Sequence, residues 1–244
     1  MQVLYAAQRE ENASTRHHEQ MYLKLVDRSF KLYLQNLLII QRVAEYAKQD
    51  EAMRRNKHLP SEEDKAFTTK LAHNPSIQSL SSNQELTLLY NKQHIGRTID
   101  ADQISTLYRD LLKTEEYQAY LSKADSNEED DRLLLLFLYK WLQGHELFLT
   151  MVEDHFPLWE ENKSLIIGAV KKTIKAMPLT TDFYQKYQSP SETVTEFGHT
   201  LLRHAVEGNE ALLEQIKPVL KNWDVERVAT IDMILIKMAL VEFL

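Results

Sequence analysis

Apolar positions recur at spacings of three and four along nearly the whole chain, the signature of amphipathic helices. Over 19–57 the residues Tyr22, Val26, Phe30, Tyr33, Leu37, Ile40, Ala44 and Ala47 make one continuous stripe, predicting a single long helix. LPSEEDK interrupts it, with Pro60 suited to a first turn and Ser61 to an N-cap. The pattern then predicts helices over 62–72, 76–80, 83–94, 101–121, 132–153, 161–177, 194–220 and 224–244, the last capped by Asp224. The opening MQVLYAAQRE is helical in character and lacks a cap. HIGRTIDADQ reads as a loop, and TTDFYQKYQSPSET (180–193) as the best linker, with Ser191 or Thr193 capping the helix after it. The helix over 161–177 is expected to bury Ile166, Ala169, Val170 and Met177 and to turn Lys171, Lys172 and Lys175 outward.

The final stretch, KNWDVERVATIDMILIKMALVEFL, departs from this amphipathic pattern. Over 228–241 only Thr230, Asp232 and Lys237 are polar, so a helix there is buried around most of its circumference. On a helical wheel Asp232 falls among Val225, Val228, Ala229, Leu235, Ile236, Ala239 and Phe243, while Glu226, Thr230 and Lys237 form the solvent strip. A carboxylate buried without a partner costs several kcal/mol or is protonated. Asp232 therefore either pairs internally or lies on an apolar surface meant for another protein.

Composition agrees with an all-α chain. Only 5 glycines and 6 prolines occur in 244 residues, too few for the punctuation that sheets and hairpins need. No phosphate-binding glycine loop and no nucleophile elbow is present, which removes the common nucleotide-binding and serine-hydrolase readings. With 0 cysteines there is no disulfide framework, zinc knuckle or thiol nucleophile, in keeping with a reducing compartment. The richest apolar run, LLLLFLYKWL, falls short of the ~18 residues a membrane span requires and is broken by Lys140. The N-terminus does not read as a secretory signal.

Net charge is −7, which disfavours indiscriminate nucleic-acid binding. It is uneven: residues 1–58 carry ten Lys/Arg against seven Asp/Glu, a balance of +3 that leaves −10 for the remainder. Arg54, Arg55, Lys57 and His58 cluster at the end of the long helix, where cations complement its dipole better than they suggest RNA contact. SKADSNEEDD lacks the central glycine and terminal glutamate of a calcium loop and reads as acidic residues at a helix start. Glu196 and His199 have the i, i+3 spacing of carboxylate-bridged metal bundles, but no second Glu-x-x-His accompanies them, so they read as a solvated pair. His17 with His18, His145 with Glu146, and Asp154 with His155 lack metal-ligand spacing. Nothing assembles a nucleophile, a base and an oxyanion hole.

HTLLRHAVEGNEALLEQIKPVLKNWDVERVATIDMILIKMALVEFL resembles the core of the NusB family of bacterial transcription antitermination factors. The specific elements are the N-W-x-x-x-R spacing of Asn222, Trp223 and Arg227, the pair Ile231-Asp232, and the ending Met238-Ala239-Leu240-x-Glu242. QVLYA (2–6) is similar to the family's first-helix signature. The resemblance implies a cytoplasmic, all-α, NusB-like helical bundle built from 1–58 and 191–244, with a helical insert over 59–190 as in longer members. It implies a chain shortened at both ends, without the family's arginine-rich stretch and last helices. Weak RNA binding and an uncovered face on the last helix, a seat for a homodimer, are the resulting expectations.

Family members are not enzymes and use no cofactor. They pair with ribosomal protein NusE, bind the boxA element of nascent ribosomal RNA, and act in the RNA polymerase antitermination complex. By position, Tyr5 and Asp232 are the partner-protein contacts and Gln2 an RNA contact. The rivals are a NusB-like RNA-binding domain serving an rRNA methyltransferase, a helical scaffold without RNA binding, and a metalloenzyme using Glu196 and His199.

Overall fold

Helices and short helical turns make up all the regular structure among the described residues of this computed structural model, which are 1–244 without 11, 12, 63, 65, 66, 124–126, 158, 221–223 and 244; the side chains of Thr98 and Glu226 also lie outside the description. No strand occurs among them, as the scarcity of glycine and the spacing of apolar positions predict. No helix among them is long and apolar enough to cross a membrane. By contacts the chain separates into two units: Ser29–Tyr187, and a terminal unit formed by Met1–Arg28 with Gln188–Leu244. The first division falls inside the long helix rather than at the Leu59–Pro60 break. The pattern change at Pro60 marks where a helix ends, whereas the division marks where a core begins.

Helix α1 (Gln2–Ala7) has no side-chain cap, and α2 (Thr15–Arg55) gives its first turns to the terminal unit and the rest to Ser29–Tyr187. The stripe read from the sequence understates α2. Every residue over 32–40 is buried, including Gln35 and Asn36, because neighbours cover the helix on all sides. The core it shares draws buried residues from α3 (Lys70–His73), α4 (Pro75–Ser81), α5 (Gln84–Lys92), α6 (Ala101–Leu111), α7 (Glu115–Ser122), α8 (Glu128–Leu142), α9 (Glu146–Glu153) and α10 (Trp159–Lys175).

Several polar groups of α2 are hydrogen-bonded within this core. Tyr33 and Thr173 share a hydroxyl hydrogen bond of 2.8 Å, Tyr139 Oη donates to Asn36 Oδ1 at 3.0 Å, and Asn36 Nδ2 donates to Leu32 O at 2.8 Å. Arg42 Nη1 donates to Ile99 O at 3.2 Å, and Ser81 Oγ donates to Glu45.

The caps explain where these helices start. Asn74, Asn83 and Asn127 accept from the backbone N–H groups of Ser76, Leu86 and Asp130, and Asp100 closes a capping box with Gln103. Two expected helices are each split. The one over 101–121 breaks after Leu111, where Thr114 bonds back to the Leu111 carbonyl. The one over 132–153 breaks at Gly144 and His145. Apolar residues continue on both sides of each joint, which hides it from periodicity. Phe67–Thr69 interrupt the helix expected over 62–72. Ser61 does serve as a cap: its Oγ accepts from the Asp64 N–H at 3.1 Å, and Asp64 accepts from the Ser61 N–H at 3.0 Å. The segment expected to be a linker is anchored in its first half, where Phe183 is buried and the Tyr187 ring lies 4.7 Å from that of Tyr33.

The terminal unit adds α11 (His199–Glu207), α12 (Asn209–Ile216) and α13 (Thr230–Phe243). Its small core holds Val3, Leu4, Leu202, Ala205 and Ile234, with Tyr5, Tyr22, Leu25, Met238 and Val241 packed around it. The single helix expected over 194–220 is instead a π-helical segment Thr193–Gly198 followed by α11 and α12, joined at Gly208. A Cβ on Gly198 would clash with Tyr22 Oη, so the tyrosine ring closes on this glycine. Asp224 does not cap the last helix: it precedes a 3-10 turn, Val225–Arg227, and α13 begins only at Thr230.

Candidate interaction surface

Helix α13 packs on α1, α11 and α12 through Met233, Ile234 and, against expectation, Lys237. Chemical type alone assigns Lys237 to the solvent strip. It is instead 5% exposed, and its ammonium donates to Asn209 Oδ1 at 2.7 Å. One turn separates it from Met233 and Ile234, so the packed face carries it inward, and its aliphatic stem tolerates that position. Burial pushes its ammonium below the ordinary lysine range.

The opposite side of α13 is apolar and uncovered. Ile231 (50%), Leu235 (48%), Ile236 (38%) and Phe243 (89%) are exposed, and Asp232 is exposed with them. Of the two alternatives for Asp232, the structure therefore favours the surface: the carboxylate stands in solvent beside apolar side chains. Its charge incurs no burial cost there.

Tyr5 is half-buried on α1. Its ring packs against the small core, and the Arg9 guanidinium lies 4.6 Å from the ring centroid, a cation–π contact. Gln2 is exposed at the start of α1. Helices α1 and α13 are in contact, so Tyr5 and Asp232 belong to adjoining elements of one unit. Asn222 and Trp223 lie outside the described residues; Arg227 is exposed in the 3-10 turn.

The other candidates resolve into ordinary pairs. Arg54 bonds Asp50 at 2.9 Å, Arg55 bonds Glu51 at 2.7 Å, and Lys57 bonds Asp64 at 2.8 Å, so the basic cluster at the end of α2 is paired with acids. His199 meets Glu19 on α2 at 3.2 Å, while Glu196 is exposed in the π-helical segment. His145 meets Asp110 at 3.3 Å, and the imidazole of His18, 1% exposed, lies 3.6 Å from Glu10. Among the described residues no three His, Asp or Glu side chains form a group able to hold a metal ion.

A cleft of about 480 Å³ runs between α1, α11, α12 and α13, with Lys237 in its wall. No sequence pattern announces it, because only the three-dimensional placement of the helices brings its lining together.

No protein-family description, curated protein or solved structure matches this chain.

Proposed function

We propose that this chain is a NusB-like transcription antitermination factor, an adaptor that pairs with ribosomal protein NusE and binds boxA RNA of nascent ribosomal transcripts. In this reading residues 1–58 and 191–244, which carry the QVLYA and the IDMILIKMALVEFL segments, form the NusB-like core, and 59–190 is the insert. The observation that carries it is the surface of α13: an exposed carboxylate, Asp232, on the same side of the helix as four uncovered apolar side chains. Such a surface suits a partner that brings apolar area for affinity and a cation for orientation. Tyr5 on the adjoining helix extends the protein contact, and Gln2 meets the RNA.

The test is fluorescence anisotropy of labelled boxA RNA titrated with this chain and purified NusE at two salt concentrations. The reading expects binding that needs both proteins and weakens with salt, since phosphate contacts release counterions. Absence of any complex between the chain and NusE, with or without RNA, overturns it.

A further inference from the structure

The cleft of the terminal unit combines two properties that rarely occur together. Its walls are of mixed character, with Leu4, Ala7, Val206, Leu213, Val228 and Met233 supplying the aliphatic part. Its one cation among the described residues, the Lys237 ammonium, is 5% exposed and donates to a neutral acceptor, Asn209 Oδ1. Among the described side chains no carboxylate lies within ion-pair distance of it, although the unit is rich in acids elsewhere. An ammonium withdrawn from water is costly to leave without a counter-charge, and an anion that reaches it from the open side of the cleft offsets that cost. The volume lies within the ordinary span of small-molecule sites and admits a ligand on the order of ten heavy atoms.

We propose that the cleft between α1, α11, α12 and α13 is a binding site for a small amphipathic carboxylate, whose headgroup pairs with the Lys237 ammonium while its apolar body lies along the aliphatic part of the walls. Asn209 holds the ammonium in place, and Gln8 and Thr230, the other polar side chains of the lining among the described residues, are available to the second carboxylate oxygen. The site is distinct from the exposed side of α13 that carries Asp232 and stands independently of the antitermination reading.

The full chain, with labelled Leu, Val, Ile and Met methyl groups, is titrated by NMR with octanoate and, as the neutral control of equal length, octan-1-ol. Octanoate is expected to give saturable shifts at the methyls of Leu4, Leu213, Met233 and Ile234, and octanol to bind about tenfold more weakly, the value of one charged hydrogen bond. Lys237→Met is expected to weaken octanoate by about the same factor and to leave octanol unchanged. Equal affinity for the two ligands overturns the proposal, as do shifts centred on Ile231, Leu235 and Ile236, the absence of saturable shifts, or octanoate binding that survives Lys237→Met. Should that variant fail to fold by circular dichroism, the comparison of octanoate with octanol on the natural chain decides alone.

Discussion

Asp232 and Lys237 occupy one helix with inverted exposures: the acid is in solvent and the amine is enclosed. Because Asp232 supports no buried contact, Asp232→Lys is expected to leave the melting temperature within the range of ordinary surface changes, about 0.5 kcal/mol, while abolishing NusE binding. Thermal melting with calorimetric titration of NusE checks both halves, and a drop of many degrees assigns the residue to internal structure instead. Lys237 makes the converse case. Replacing a buried cation by an apolar side chain of similar length is often neutral or stabilising, so Lys237→Met is expected to melt at the same temperature or higher. Asn209→Leu removes the acceptor and keeps the cation, and is expected to lose about 1–3 kcal/mol in urea unfolding. A helical wheel finds the apolar circumference of α13 but assigns its sides by residue type. Which side faces the core depends on α1 and α11, and neither is visible from α13 alone.

Among the elements, the segment leading into α11 shows how a single small residue fixes geometry. Gly198 has ordinary right-handed backbone angles, so alanine there gains helix propensity; against this, its Cβ meets Tyr22 Oη and lies 2.8 Å from Cζ. The clash outweighs the gain, and Gly198→Ala is expected to cost about 1–2 kcal/mol, with a smaller loss in a Tyr22→Phe background where the hydroxyl is gone. A double-mutant cycle by chemical denaturation measures the coupling.

The carboxyl end of α2 supplies a pH-dependent contact. The hydrogen bond from Lys57, joined by the Ser61 N–H, holds the Asp64 carboxyl down to about 2. A depressed acid contributes stability above its unfolded value, near ~3.9, and loses it as pH falls from there through the folded value. The stability difference between the natural chain and Asp64→Asn is therefore expected to shrink between about pH 4 and pH 2, as urea unfolding at stepped pH would show. At this scale the sequence is legible where the expected cap is made, as at Ser61, and misleads where it is not, as at Asp224. It is illegible at Thr114 and Gly144, where apolar residues continue across the break.

The whole molecule comprises two units of unlike character. The basic excess of the N-terminal residues, legible as a charge balance, is partly offset, because Asp64 lies beyond residues 1–58 and takes up Lys57. The division of the chain is only partly legible, since a helix that serves both units has an unbroken pattern and keeps no mark of where one core ends. The units also differ in their aromatic residues. All but Tyr5 and Tyr22 of the 11 tyrosines fall within Ser29–Tyr187. Burial raises the phenols of Tyr33, Tyr90, Tyr108, Tyr117 and Tyr139 above the ordinary tyrosine value. A phenol raised in the folded state holds its proton after the unfolded one has released it, so stability is lost as pH climbs past about 10. The tyrosine core thus gives Ser29–Tyr187 an optical signature of its own. In an alkaline titration the ultraviolet absorbance of phenolate should rise in two waves, the exposed rings first and the enclosed ones together with the loss of helical circular dichroism. A single wave that precedes any loss of helix would mean that the core admits hydroxide without opening.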